Sequence, residues 1–173
     1  CGHIVYRNKG GDLCLNTESL FMIFKKISDM EKELLARKAS TRVKFPDTLL
    51  IKHCVDNRID SILNSTSSIP STSGVNVDFD NYRINFYKDK MNNIDPYEVC
   101  QEYFKGLLFV IRYYIDEIPD WHWYYPYNYS PFFIDMSIFI NDFDGEMKFD
   151  KNRPFKPFEQ LLAVLPPQSS ELL

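Results

Sequence analysis

Apolar residues recur at helical spacing along much of the chain, and the longest such run comes early. Within residues 17–38, apolar side chains repeat every three or four positions while charged residues fill the opposite face, which predicts an amphipathic helix. The apolar positions are Leu20, Phe21, Phe24, Ile27, Leu34 and Leu35. Ahead of this helix, residues 1–15 predict a short extended piece with a turn at Gly10 and Gly11.

The next part of the chain, residues 41–78, has a weaker pattern. Residues 47–64 carry a sparse apolar repeat, which predicts a second helix. Residues 64–74 consist almost entirely of Ser, Thr, Pro and Gly. Because this composition buries too little apolar area to offset the entropy lost on ordering, we expect a mobile linker there.

The clearest helix start lies at Asp95, a residue type that caps helices, followed by a proline at the first helical position, Pro96. Apolar residues then cover almost the whole circumference between Leu107 and Ile111. A helix that is apolar all round is typically buried on all sides, so a central helix is predicted. It is expected to end before Pro119.

Three further helices complete the predicted fold: residues 79–91, a short apolar helix within residues 131–140, and a helix begun near Pro157 that stops before Pro166. A polar loop, residues 141–152, separates the last two. Aromatic residues make up 16% of the chain and Gly only 6 residues, which favours packed helices over a turn-rich β fold. The predicted fold class is mainly α, an irregular multi-helix assembly with a long buried central helix, an aromatic-rich loop and a short extended N-terminal piece.

That aromatic-rich loop, residues 120–133, is called the aromatic segment below. It contains two Trp, four Tyr, two Phe and two Pro in fourteen residues, and the prolines exclude one smooth helix. Three interpretations are open: an irregular core, a protein interface, or a surface that stacks on nucleobases. Such stacking contributes roughly 1–3 kcal/mol per base whatever the base is. Composition alone favours core packing.

The net charge and the cysteine pattern reduce the number of protein classes that fit the sequence. The net charge of −4 argues against a stand-alone basic nucleic-acid binder. The four Cys include no CxxC pair and the three His are scattered, so reduced thiols are expected, as in a cytosolic or nuclear protein. The sequence has no basic-then-apolar leader and no run of about 18 apolar residues. Neither a signal peptide nor a membrane span is therefore expected. Because the sequence begins with Cys1 rather than Met, we expect an excised fragment.

Catalytic groups are not evident in the sequence. Its only cluster of acidic residues comprises Asp142, Asp144, Glu146 and Asp150. This loop fails the EF-hand pattern, since Ile140 would occupy position 1 and Lys151 position 12. A solvated loop is therefore expected, with no metal ligand. No Ser–His–Asp or Cys–His arrangement and no phosphate-binding glycine loop is suggested, so no catalytic residue is predicted.

Three blocks of the chain together resemble the 5′→3′ exoribonuclease (XRN) family. Residues 79–91, the following helix and the string W-H-W-Y-Y-P-Y-N-Y-S-P-F resemble the family pattern that ends in W-x-W-Y-Y-P-Y-H-Y-A-P-F. Residues 154–166 resemble its P-F-x-P-F-E-Q-L-L-A-V-L-P segment, and residues 3–38 show a weaker likeness. The sequence departs from the pattern at Asn128, where the family has His, and at Ser130, where it has Ala. The doubled Tyr and the AVLP string look more like the cytoplasmic branch than the nuclear one.

The resemblance implies that residues 79–173 are the second conserved block of such an enzyme, with residues 1–40 the N-terminal piece of its middle region. The intact protein would processively degrade single-stranded, 5′-monophosphorylated RNA with Mg²⁺, acting in cytoplasmic mRNA decay. An N-terminal nuclease domain, absent here, would supply the metal-binding carboxylates and the 5′-phosphate pocket. This region would wall the active-site channel, and the chain alone is expected to be inactive. Its partners would be RNA and that nuclease domain, with no membrane.

The resemblance also implies RNA-facing residues, because a Trp of this region stacks on the 5′ base in the family. Trp121 and Trp123 are the candidates, and we expect one to face the base and the other to be buried. Tyr124, Tyr125 and Tyr127 are second choices, as wall or supporting residues.

Alternatives stay open for two basic residues and for the function. Arg83 and Lys88 could approach phosphate or pair with carboxylates of the nuclease domain, but ordinary salt bridges between helices are at least as favoured. A non-enzymatic helical scaffold, whose aromatic patch binds a protein partner, is the rival function. A stand-alone single-strand binder is a second rival, which the acidic net charge disfavours.

Overall fold

The computed structural model describes residues 2–41, 46–54 and 77–166. Over these ranges the chain is mainly helical, which confirms the predicted fold class. The strands are β1 (Val5–Arg7) and β2 (Leu13–Leu15); the helices are α1 (Thr17–Ser40), α2 (Thr48–Lys52), α3 (Phe79–Lys90), α4 (Pro96–Ile115), α5 (Phe133–Phe139) and α6 (Pro157–Val164). The predicted linker, residues 64–74, lies outside the described residues.

The N-terminal extended piece is an antiparallel hairpin in which β1 pairs with β2. The side chain of Asn8 shapes its turn, since Oδ1 accepts the N–H groups of Gly10 at 2.9 Å and Asp12 at 3.0 Å. Gly11 adopts φ +90°, the left-handed region that favours glycine. The predicted turn at Gly10 and Gly11 is therefore confirmed.

Helix α1 starts as the sequence pattern predicts and runs two residues beyond the predicted end. Asn16 caps it, because its side chain accepts the N–H of Ser19 at 3.0 Å. Leu20 and Phe24 are buried, whereas Leu34 is about half exposed. The apolar stripe therefore faces the core most closely in the first two turns.

Helix α2 is shorter than predicted. Asp47 caps its start, but the helix ends at Lys52, and the backbone of Cys54 pairs with Val77 in an antiparallel bridge. Because an extended bridge cannot continue a helix, the predicted helix over residues 47–64 is wrong at residues 53 and 54. Residues 55–64 lie outside the described part of the chain.

Helix α4 begins as predicted, with Asp95 accepting the N–H of Tyr97 at 3.0 Å and Pro96 in the first turn. Its fully buried positions include Cys100, Phe104 and Leu108, which repeat every fourth residue along one face. This face packs against α5 and β2. The described helices include none with the length and hydropathy required to cross a bilayer.

The expectation that α4 is buried on all sides is wrong for its C-terminal turns. Val110 is 51% exposed and Tyr114 79% exposed. The helix also ends at Ile115, before the predicted stop, where the N–H of Asp116 donates to the carbonyl of Arg112. Packing neighbours cover only one side of this end, so the apolar residues on the other side form surface.

Two hydrophobic clusters make up the core. One is built mainly on α2, α3 and Phe132, and the other on α1, α4 and α5. Phe132 closes the aromatic segment by packing among four rings of α3, with centroid distances of 4.9–5.9 Å. Those rings belong to Phe79, Tyr82, Phe86 and Tyr87.

A buried polar network, called the Asp135 network, joins α3 to α5. Arg83 Nε donates to the two carboxylate oxygens of Asp135 at 2.9 and 3.1 Å. The hydroxyl of Tyr87 donates to Asp135 at 2.7 Å and accepts the N–H of Phe132 at 3.2 Å. Burial, reinforced by the charge of Asp135, raises the pKa of Tyr87 far above its ordinary range. Arg83 is thus a salt-bridge residue between helices, not a free phosphate ligand, while Lys88 is exposed.

Glu31 of α1 replaces the missing N-cap of α5. Phe132, at the N-cap position, makes no side-chain capping bond. Instead the carboxylate of Glu31 accepts the N–H groups of Phe133 at 3.0 Å and Ile134 at 3.2 Å. Burial raises the pKa of Glu31, although these two hydrogen bonds oppose the shift. Three helices therefore meet through side-chain polar groups at the start of α5.

We expect Gly145→Ala to lower the free energy of unfolding by roughly 2–4 kcal/mol, combining left-handed strain with overpacking. Gly145 adopts φ +85°, and a Cβ there would lie 2.3 Å from the carbonyl oxygen of Leu15. Gly11→Ala is the matched control: its φ is +90° but no atom lies within 4 Å of the added Cβ. That variant should lose about 1 kcal/mol. Urea denaturation measures both, and equal losses would contradict this account.

Candidate nucleic-acid interface at the aromatic segment

A tight turn built on Asp120 opens the aromatic segment. Asp120 is buried, and its Oδ1 accepts the N–H groups of His122 at 2.8 Å and Trp123 at 3.2 Å, with the side-chain amide of Asn152 at 3.3 Å. Burial raises the pKa of this carboxyl, but the donors outweigh it and hold the pKa below its ordinary value. The turn is therefore fixed, with Trp121 and His122 on its exposed side.

Trp123 anchors the aromatic segment to α4. Its indole N–H donates to the carboxylate of Glu102 at 2.9 Å. Its ring lies 5.1 Å from the ring of Phe109 and 6.4 Å, edge to face, from that of Phe149. A Cβ on Gly106 would approach this ring to 3.0 Å, so glycine permits the close contact. Trp123 is thus a packed, half-buried residue.

Trp121 lies in a different environment. Its side chain is 41% exposed. Among the described residues, no ring pairs with its indole and no acceptor is hydrogen-bonded to its N–H. Because Asp120 accepts two N–H groups and forms a turn, residues 121–123 are not one extended strand, and the two Trp side chains lie in different environments. One indole is open to solvent and the other is packed, while contact with a base stays a prediction.

The three candidate tyrosines also differ in exposure and in contacts. Tyr124 is 74% exposed. Tyr125 is half-buried: its hydroxyl donates to the carbonyl of Tyr129 at 2.7 Å, and its ring meets Tyr127 edge to face at 5.5 Å. Burial raises the pKa of both Tyr125 and Tyr127. Tyr125 and Tyr127 therefore have supporting geometry, and Tyr124 has an open ring.

Sequence reasoning missed the residues that orient the two indoles. Asp120 was not predicted to form the turn, and Glu102, Phe109 and Phe149 were not predicted to contact Trp123. Asp120 did leave a local signal, because Asp often accepts the N–H groups two or three residues further along and so forms a turn. Glu102 left none, since its partner is 21 residues away.

The described residues do not fit a catalytic metal site. No three of their His, Cys, Asp or Glu side chains converge to hold an ion. In the acidic loop, Asp144 accepts the N–H of Glu146, and Glu146 accepts the side-chain amide of Asn8. These carboxylates therefore brace the loop and the hairpin. The surface of the aromatic segment can stack on a flat ligand, and none of its described side chains joins a cluster that could hold a metal ion.

The comparisons with known proteins identify the family. Residues 74–173 match the family model of the Xrn1 helical domain. Because that match covers more than half of the sequence, the chain belongs to this family, and the resemblance to the middle region of the exoribonucleases is confirmed.

Three relatives illustrate the match. The chain is 41% identical over 98 residues to 5′-3′ exoribonuclease 2 of Aspergillus oryzae, covering 53% of this chain and 9% of the relative. It is 34% identical over 135 residues to 5′-3′ exoribonuclease 2 of Schizosaccharomyces pombe, covering 71% and 13%. It is 35% identical over 100 residues to 5′-3′ exoribonuclease 1 of Saccharomyces cerevisiae, covering 55% and 6%. The chain therefore spans only a small part of each relative.

Asp120→Ala should lower the free energy of unfolding by about 1–2 kcal/mol, because two backbone N–H groups lose their acceptor. Asp120→Asn keeps an acceptor oxygen and should lose less. Since folding lowers the pKa of Asp120, its contribution is complete above about pH 5, a unit above the ordinary Asp pKa, and is lost as the pH falls through the lowered pKa. Urea denaturation should show the difference between wild type and Asp120→Ala shrinking from pH 5 to about pH 2. A difference that grows on acidification would refute the assignment.

Proposed function

We propose that this chain is the middle helical region of a 5′→3′ exoribonuclease that processively degrades single-stranded, 5′-monophosphorylated RNA. The observation that carries the proposal is an exposed indole, Trp121, on a braced turn of a chain from the Xrn1 helical domain family. Relatives of that family are named exoribonucleases. In the proposal, this region forms one wall of the active-site channel.

Trp121 is assigned to stack on the first base of the strand. An indole is a large flat ring, and stacking on it does not depend on which base is present, as a processive enzyme requires. The turn at Asp120 fixes the backbone on both sides of the ring, so little conformational freedom is lost on binding. Trp123 is held by Glu102 and Phe109 and is less exposed than Trp121, so it is assigned a supporting role.

The tyrosines extend this surface. Tyr124, with its open ring, is assigned to the channel wall. Tyr125 and Tyr127 support the backbone behind it, because each lies edge to face with a neighbouring ring. Asn128 and Ser130, which differ from the family pattern, lie in the exposed part of the same segment and can still form hydrogen bonds.

The nuclease domain of the same chain is proposed to supply the carboxylates and their Mg²⁺, since the residues described here do not fit such a site. Helix α6 has a surface suited to docking that domain. None of its residues is buried, although its apolar side chains include Phe158 at 63% and Leu162 at 56% exposure. Exposed apolar patches of this kind commonly mark interfaces.

The cytoplasmic location and the role in mRNA decay stay predictions. Relatives named exoribonuclease 1 and exoribonuclease 2 both match the chain. The rival function, a non-enzymatic scaffold, would use the same exposed rings and α6 to bind a protein. Restoring the upstream chain separates the two, because only the enzyme requires a metal-binding nuclease domain there.

In the full-length protein, Trp121→Ala should lower kcat/KM for 5′-monophosphorylated RNA by roughly 5- to 150-fold, since stacking contributes about 1–3 kcal/mol. The free energy of unfolding should fall by roughly 1–2 kcal/mol, less than for a packed ring, because the residue is 41% exposed. Trp121→Phe should recover part of the lost activity by restoring a flat ring. Degradation rates and urea denaturation measure the two effects.

Trp123→Ala is the matched control for this experiment. It should destabilise the fold by about 3 kcal/mol, because a packed ring and its hydrogen bond to Glu102 are lost. The assignment of Trp121 to the first base is incorrect if kcat/KM stays at the wild-type value in both Trp121→Ala and Trp121→Phe.

The 173-residue chain alone should not shorten RNA. The reason is chemical, since its described residues bring no metal-binding carboxylate cluster to the aromatic segment. The test is incubation of the purified chain with Mg²⁺ and a 5′-monophosphorylated RNA that carries its label at the 3′ end, followed by gel electrophoresis. Progressive shortening that survives repeated purification would refute the assignment of catalysis to another domain.

A further inference from the structure

A basic stretch of the chain lies directly beside the aromatic segment. This stretch, residues 148–156, is called the basic segment below. The amide of Asn152 donates to Asp120 at 3.3 Å, which joins the two segments at the turn that carries Trp121. The rings of His122 and Phe155 stack with a centroid distance of 4.5 Å and an interplanar angle of 26°. Both rings are exposed, so the stack is an open face on the surface.

The charge of the basic segment is opposite to that of the whole chain. It contains four basic residues and one acidic residue, giving 4 − 1 = +3, whereas the chain carries −4. Lys151 pairs with Glu117 at 2.5 Å. Arg153 and Lys156 are exposed, and no carboxylate oxygen of the described residues lies within 4.0 Å of their charged nitrogens. Two cations next to an open ring stack are therefore available to a ligand.

This combination fits one class of ligand better than others. Guanidinium and ammonium groups bind phosphate, and exposed flat rings stack on bases. A single-stranded nucleic acid offers both partners at regular spacing along its length. An acidic peptide would satisfy the cations but offers no row of bases for the rings. The position beside Trp121 extends the proposed contact to the first base.

We infer that His122, Phe155, Arg153 and Lys156 form a second RNA contact, which binds the nucleotides next to the base on Trp121. The cations contact phosphates and the ring stack contacts a base or sugar of the same strand. This inference rests on the proposed function. It assigns binding, not chemistry, to the basic segment, and it gives an acidic chain a local surface for an anionic substrate.

The test uses the full-length protein in EDTA, so that RNA binds without turnover. The probe is a fluorescent, 5′-monophosphorylated single-stranded RNA, and the readout is anisotropy at several salt concentrations. The double variant Arg153→Gln with Lys156→Gln should weaken binding about tenfold. Its slope of log affinity against log salt should shrink by about 1.4, since each lost phosphate contact on a single strand contributes about 0.7.

The matched control is Lys9→Gln with Lys26→Gln. Both lysines are exposed and lie outside the basic and aromatic segments, and the change in net charge is the same. This control should bind within about twofold of wild type, with an unchanged salt slope. Phe155→Ala should weaken binding about fivefold without changing the slope, because it removes stacking and leaves the charges in place.

Unchanged affinity and slope in the Arg153 and Lys156 double variant would overturn the inference, as would an equal loss in the lysine control. The inference would also be overturned if that double variant lost binding to an acidic peptide but kept the wild-type affinity for RNA. These outcomes are separate from failure of the proposed function. Wild-type protein that binds RNA but never shortens it with Mg²⁺ would refute the nuclease while leaving this contact standing.

Discussion

The burial of two carboxylates at the start of α5 is the constraint on which the rest of the structure depends. Glu31 and Asp135 are each less than a tenth exposed, and an unpaired charge at that depth would cost several kcal/mol. Arg83 and Tyr87 satisfy Asp135, while two backbone N–H groups of α5 satisfy Glu31. Because these partners come from α1, α3 and α5, the two carboxylates join the three helices at one place.

This constraint also determines what the aromatic segment can present. Near its end, Phe132 packs among the rings of α3 and donates its N–H to the hydroxyl of Tyr87. Its start is fixed by the turn at Asp120. Between these points Trp123 is bound to α4. The rings of this segment therefore divide: most pack the junction between helices, while Trp121 and Tyr124 are among those left exposed beside a hydrogen-bonded turn. Rigid presentation reduces the entropy lost when a flat ligand binds.

Local signals in the sequence predicted much of this fold, and interactions distant in sequence account for what was missed. Asp95 and Pro96 marked the start of α4 because capping acts within one turn. The end of α2 was not predictable, since it depends on a bridge between Cys54 and Val77, with 22 residues between them. The exposed end of α4 and the difference between Trp121 and Trp123 likewise depend on which neighbours cover each face. Periodicity reveals that a face is apolar but not whether another element covers it.

The most direct test of the central claim is photocrosslinking in the full-length protein with an RNA whose first nucleotide is 5-iodouridine, in EDTA. Mass spectrometry then identifies the crosslinked side chain. The account predicts a crosslink at Trp121, lost in Trp121→Ala and retained in the Lys9 and Lys26 control. A first-nucleotide crosslink confined to Trp123, or to residues outside the aromatic segment, would contradict it.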